Sequence, residues 1–258
     1  MLSKIKDLVN KRAFHVIIIV LIIFIIVLLA VFIMLRYSVE GETNMPFELT
    51  KISIISSSEG IDKKETDSKW DFNINQFNDV YLYIDKNNNY GKTEYIKEVV
   101  IDNIDIEGKN LKNIKIYKPD ETNENVTFLN KEENEVNNLE YQGETEGNIK
   151  KMKISNQGGL IAFRCSNNNV KEYKSNDDME ITHDQLLKKS GITQDELIIK
   201  VSFDLTLKLE NMKEYQTRIS LDLPIDGVID NGKATEEKTD LKEYVFKRIK
   251  NYEIPFTE

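Results

Sequence analysis

The sequence predicts a mainly β protein: one N-terminal transmembrane helix followed by an antiparallel β-sandwich-like extracytoplasmic region, in one sandwich or two in tandem, with one short helix. Three observations carry this. Residues 13–35 (AFHVIIIVLIIFIIVLLAVFIML) hold no Asp, Glu, Lys or Arg. The rest of the chain is dominated by short runs in which apolar and polar residues alternate with a period of two, the signature of half-buried strands. The one cysteine, Cys165, cannot form an intrachain disulfide, so the fold must rest on its core.

As a helix, residues 13–35 would run about 34 Å, enough to cross hydrocarbon about 30 Å thick. Lys4, Lys6, Lys11 and Arg12 precede the run against Asp7 alone, and Arg36, Glu40 and Glu42 follow it. Basic residues stay on the cytoplasmic side, so the N-terminus is expected inside and the remainder outside. The run exceeds a signal-peptide core and no A-x-A-like site closes it, which predicts an uncleaved signal anchor in a single-pass cell-membrane protein. His15, at its edge, reads as a neutral imidazole at headgroup depth. The expected organisation is a basic cytoplasmic tail (1–12), the anchor (13–35), a polar tether (36–46), a first β-rich domain or half (47–119), an acidic linker or loop (120–148) and a second β-rich domain or half (149–258).

The net charge is −9; the first twelve residues contribute +3 and the apolar run nothing, which leaves −12 outside the membrane. Such a body repels nucleic acid and anionic headgroups. The expected partners are the lipid bilayer through residues 13–35 and an envelope protein or polymer, with no nucleic acid. Abundant Ile, Lys and Asn with little Ala or Pro match the usage of AT-rich bacterial genomes, which sets the expectation of a bacterial envelope.

The elements follow in order. Phe47 to Ile55 alternates and predicts a strand. Trp70, Phe72 and Ile74 predict a second, Asn78-Asp79 a turn, and Val80 to Ile84 a strand apolar on both faces. Ile104 and Ile106 against Ile114 and Ile116, around Gly108 to Asn110, predict a hairpin ended by Pro119. Residues 120–148 carry acids against the single base Lys131, and only VTFL (126–129) and LEY (139–141) have the composition to pack. Met152 and Ile154 predict a strand, Gly158-Gly159 a turn, and residues 160–165 a buried strand. Thr182 with Gln185, and Thr193 with Glu196, are capping-box spacings, and Gly191 is placed to end a short helix. Val201 to Leu209 and Tyr215 to Leu223 form the clearest pair, an antiparallel hairpin turning near Asn211, with Phe203 inward and Thr206 outward. Residues 241–249 are read as a strand, with a helix as the alternative. The segments 85–119 and 164–224 share an Asn triplet, a Glu-led strand and a closing Pro, the pattern a duplicated sandwich would leave.

The chemistry-bearing inventory is thin. Outside the apolar run the only histidine is His183, beside Asp184, so every Ser-His-Asp or Cys-His arrangement depends on it. Metalloprotease, nucleophile-elbow and phosphate-loop motifs are absent. Asp85-Lys-Asn87-Asn-Asn89 begins like a calcium loop, but Tyr90 stands where Gly belongs and Ile96 where Glu does, so an Asn-rich turn is the better reading. A looser oxygen cage would draw on Asp177, Asp178 and Glu180. Cys165 reads as a small buried hydrophobe. No residue is assigned as catalytic, cofactor-binding or metal-ligating, no cofactor is expected, and the chain is not expected to be an enzyme. The expected role is a membrane-anchored binding or structural protein of the envelope. The alternatives are an envelope enzyme using paired carboxylates and a pilin-like assembly subunit, whose basic leader and apolar helix are matched here but whose Gly-Phe cut and amphipathic rod are not.

Overall fold

A computed structural model describes residues 15–31, 45–63, 69–120, 126–144, 152–176, 182 and 185–249. The chain divides into two compact units, Met1–Asn44 and Met45–Glu258. In the first, residues 15–31 form a helix (α1) whose side chains are all exposed. Seventeen residues rise about 25 Å. Among the described residues no helix is long and apolar enough to cross a membrane. Positions 13–14 and 32–35 of the expected span lie outside the described residues.

The second unit is two sheets packed face to face. Strands β1 (Phe47–Asp62), β2 (Trp70–Lys86), β3 (Ile96–Gly108), β4 (Asn113–Tyr117), β5 (Leu139–Gly143), β6 (Met152–Ile154) and β7 (Gly159–Ser175) come first. Then follow the short helices α2 (Leu186–Ser190) and α3 (Gln194–Leu197), the hairpin β8 (Ile199–Leu209) and β9 (Glu214–Asp222), helix α4 (Val228–Asn231), β10 (Lys233–Lys238) and β11 (Lys247–Ile249). One sheet has the order β10-β1-β2-β7-β4, the other β11-β9-β8-β3-β5-β6. Every pairing is antiparallel except β5 with β6. Between them lies a continuous core: Ile52, Ile54, Val80, Leu82 and Phe163 from one sheet meet Val99, Ile101, Phe203, Leu205 and Ile219 from the other. Phe163 and Phe203 join the layers edge to face, with centroids 5.2 Å apart.

The period-two pattern explains this directly. On β8, Val201, Phe203, Leu205, Leu207 and Leu209 are all buried, as the alternation predicts. Thr206 differs from expectation. It is 6% exposed although it lies on the outer face, and its Oγ1 accepts a hydrogen bond from Gln216 Nε2 at 3.1 Å. The capping box Thr193–Glu196 is present, and Gly191 ends α2 in the left-handed conformation (φ 70°) that glycine adopts without a Cβ penalty. Residues 247–249 are strand.

Four readings are corrected. Asn78-Asp79 is not a turn but the middle of the single long strand β2, because both side chains find partners there: Ser56 Oγ donates to Asn78 Oδ1 at 2.7 Å, and Asp79 pairs with Arg164. The hairpin of residues 104–116 does not form. β3 pairs with β5 and β8, whereas β4 pairs with β7 in the other sheet, so Gly108 to Lys112 is a crossover between layers. Tandem sandwiches are likewise not seen, since both sheets contain strands from before and from after residue 120. The duplication fails with it: the second Asn triplet lies inside β7, while the first lies in the β2–β3 loop. Within 120–148, residues 139–143 are a strand paired with β3, with Leu139 and Tyr141 buried.

β1, β2 and β7 outrun the main core, and their far ends support a second, smaller one. Ile74 and Val170 there meet Leu186, Leu187, Ile192, Leu197 and Val228 from the helical segments and Ala234 from β10. Gly60 on β1 lets α2 settle against the sheet, because a Cβ at that position would collide with Leu186.

Candidate functional site

A polar cluster centred on Arg164 lies on the outer face of the five-stranded sheet. Alternation sends Phe163 and Cys165 inward and Arg164 outward, opposite Asp79 on β2 and Tyr117 on β4. Arg164 Nε donates to Asp79 Oδ1 at 2.6 Å and Nη2 to Oδ2 at 2.9 Å, the forked geometry in which guanidinium and carboxylate fit best. Nη1 reaches Asn130 Oδ1 at 3.0 Å. The guanidinium also sits 4.8 Å from the Phe77 ring centroid and 5.1 Å from that of Phe128. The pair therefore clasps the 126–131 segment onto the sheet. Arg and Asp each keep only 14% and 12% side-chain exposure, so neither charge is left for a ligand unless the other is released.

Beside the clasp two tyrosines stand half-exposed on the same face. Tyr81 meets Phe128 edge to face at 6.2 Å, and burial, then the nearby Asp79 carboxylate, push its phenol above the ordinary value. Tyr83 carries the Lys51 ammonium over its ring at 4.2 Å. The face offers aromatic surface, hydroxyls and paired charge.

On the outer face of the six-stranded sheet two carboxylates are opposed. Asp102 on β3 and Asp204 on β8 are in direct register beside an irregularity at which Asn103 takes φ 48°. Asp204 is well provided: Asn103 Nδ2 donates to its Oδ2 at 2.8 Å, and Arg218 Nη1 approaches its Oδ1 at 3.3 Å. Among the described residues, no hydrogen bond reaches Asp102 Oδ1. Burial, and then the facing Asp204, raise its carboxyl above the ordinary range, while Lys208 and Arg218 pull the other way. Two carboxylates in unlike surroundings are the arrangement from which acid–base pairs are made.

At the end of the body where the chain enters at Met45, Asn87 N–H donates to the Pro46 carbonyl at 2.9 Å. The β2–β3 loop there borders an open cavity of about 340 Å³, lined among others by Lys86, Asn87, Tyr90, Lys92 and Glu94. The calcium-like segment lies in this loop. Asn87 Oδ1 accepts from Asn89 N–H at 2.9 Å, which is an Asx turn, and Asp85 accepts from Thr50 Oγ1 at 2.6 Å. Among the described residues no group of three or more His, Cys, Asp or Glu is arranged to hold a metal. Cys165 is fully buried, and burial pushes its thiol up to about 12, far from any nucleophile's range. His183, Asp177, Asp178, Glu180 and Asp184 lie outside the described residues. No known family, curated protein or solved structure matches the chain.

Both clusters escape a sequence reading. Asp79 follows Asn78 and resembles turn chemistry, and Asp102 and Asp204 sit among some forty other acids. The one usable signal is Arg164 within the apolar run LIAFRC: a lone cation in a strand buried on its other face needs a counter-charge.

Proposed function

We propose that this chain is a single-pass, membrane-anchored protein of the bacterial cell envelope that presents a β-sandwich body outside the cytoplasm for binding or structural purposes. The observation that carries the reading is helix α1, a run of side chains from Val16 to Val31 in which the large apolar residues are 41–62% exposed. Exposed apolar surface of that extent requires cover by lipid or by protein. The basic residues before it and the acidic, strand-rich body after it set the orientation. The Arg164 clasp and the adjoining tyrosines supply a rigid recognition face. Protease added to intact spheroplasts tests this: the body should be degraded while a fragment holding α1 stays with the membrane. A fully protected body would overturn it.

A second reading, an envelope enzyme using carboxylates, is favoured by the opposed Asp102 and Asp204. It requires that the purified chain turn over an envelope polymer and that Asp102→Asn and Asp204→Asn each abolish that turnover. Capture of the polymer with no turnover leaves the binding reading standing.

A further inference from the structure

We infer that the end of the body carrying Pro46 rests on the lipid surface, with Met212 entering the boundary between headgroups and hydrocarbon. The inference deepens the membrane-anchored reading and rests on it. Three loops are tied together at this end. Asn87 N–H bonds to the Pro46 carbonyl, Glu210 N–H to that of Tyr95 at 3.0 Å, and Ile96 N–H to that of Asn156 at 3.0 Å. The tip of the β8–β9 hairpin, the β2–β3 loop and the β6–β7 turn therefore share one surface with the point where the chain enters.

Two side chains on that surface are out of keeping with solvent. Met212 is 88% exposed at the hairpin tip and takes φ 64°, a conformation for which Asn or Gly is the ordinary choice. A flexible apolar side chain held outward at such a position gains nothing from water. Tyr95 is 42% exposed, with the Lys86 ammonium 5.9 Å from its ring centroid. Tyrosine paired with lysine is the composition enriched where protein meets headgroups. The charges around them are mixed, Lys86 and Lys92 against Asp85, Glu94 and Glu210, so apolar insertion and not attraction to anionic lipid is the means.

Connectivity selects this occupant. Residues 32–44 separate α1 from the body and cannot reach further than about 45 Å when fully extended. The opposite end, with Ile61 and Trp70, is removed by most of the length of β1, roughly 45 Å more. If α1 is in the bilayer, the Pro46 end is thus held at a high effective concentration over the same bilayer.

The test uses the full chain in nanodiscs of zwitterionic lipid, with Cys165→Ala as background. An environment-sensitive fluorophore is attached at Met212→Cys or, as the reference at the other end, at Ile61→Cys. Nitroxide lipids should quench the label at 212 several-fold more than the label at 61, with a blue-shifted emission only at 212. Equal quenching at the two positions, or stronger quenching at 61, overturns the inference while leaving the anchor intact. Failure of the chain to enter the discs, with its β spectrum unchanged, overturns the anchoring reading and this inference with it.

Discussion

Replacing Asp102 by Asn should stabilise the protein, and by an amount that depends on pH in a defined direction. The substitution keeps the side chain's size and removes one of two carboxylates that face each other across β3 and β8. Directly opposed residues have Cβ atoms about 5 Å apart, and two unit charges at that distance in water repel by roughly 0.8 kcal/mol. Lys208 and Arg218 lie close enough to offset part of this, and Asp102 is only half-buried, so salt and solvent screen the remainder. A net gain of about 0.5 kcal/mol at pH 7 is expected, which with an m-value of about 2 kcal/mol/M moves the urea midpoint by roughly 0.25 M.

The pH dependence follows from the direction of the Asp102 shift. Its carboxyl is raised in the folded state above the ordinary 3.8, so the native protein holds that proton more tightly than the unfolded chain. The stability this provides is complete below about pH 3.8 and is lost as pH rises through the folded value. Wild type should therefore approach the variant at pH 3.5 and fall behind it between there and neutrality. Urea titrations of the full chain at pH 3.5, 5 and 7, in low and high salt, measure this. Asp204→Asn provides the contrast. It relieves the same repulsion but weakens the acceptors for Asn103 and Arg218, and it should destabilise by about 1 kcal/mol. An Asp102→Asn variant that is less stable than wild type at pH 7, or whose gain persists undiminished at pH 3.5, would refute the opposition of these two charges.

Other expected outcomes concern the core and the clasp. Arg164→Ala leaves Asp79 shielded without its counter-charge and should cost about 3 kcal/mol, whereas the paired change Arg164→Met with Asp79→Leu should recover most of it; urea midpoints of the two variants and of wild type decide. Limited proteolysis of Arg164→Ala should open new cuts near residues 126–131, since Asn130 and Phe128 lose their common partner. Cys165 keeps its proton up to about 12 in the folded state against 9.0 ordinarily, so its contribution to stability is complete below pH 9 and falls by up to about 1.4 kcal/mol per pH unit above it. Cys165→Ala should flatten that slope between pH 9 and 10.5. Phe203→Ala should cost about 3–5 kcal/mol by emptying space against Phe163, and Thr206→Ala about 1 kcal/mol through the lost bond to Gln216; equal losses would place β8 in the wrong register.

What the sequence made legible was the part of the fold governed by local period. β8 and β9 could be drawn residue by residue, because the inward positions, six on β8 and four on β9, are apolar or nearly so and a one-residue slip would invert both faces. The capping box at Thr193 and the glycine at 191 were legible for the same reason, since their partners lie within four residues. The failures share the opposite property. Whether Ile106 pairs with Ile114 or with Val201 depends on strands ninety residues apart, and the alternating pattern is satisfied either way. Asn78-Asp79 has the composition of a turn, and only Ser56 and Arg164, far off in sequence, give those two side chains a reason to stay in a strand.

The same distinction locates the candidate sites. Asp79 with Arg164 spans 85 residues, and Asp102 with Asp204 spans about a hundred; each juxtaposition is made by sheet register and by nothing in the neighbouring sequence. Register is fixed by the inward face, where a slip would expose Phe163 or Phe203 to water. The outward residues are carried along, so the core sets which charges meet while the charges themselves do little to choose it. That explains how a like-charged pair can persist opposite one another at the middle of a sheet: the loss of a fraction of a kcal/mol between Asp102 and Asp204 is small beside the several kcal/mol that hold β3 and β8 in place through Val99, Ile101, Phe203 and Leu205. The outer faces of this sandwich are therefore free to vary in chemistry without disturbing the fold. The Arg164 clasp is the exception, because its charges are buried and must be matched as a pair.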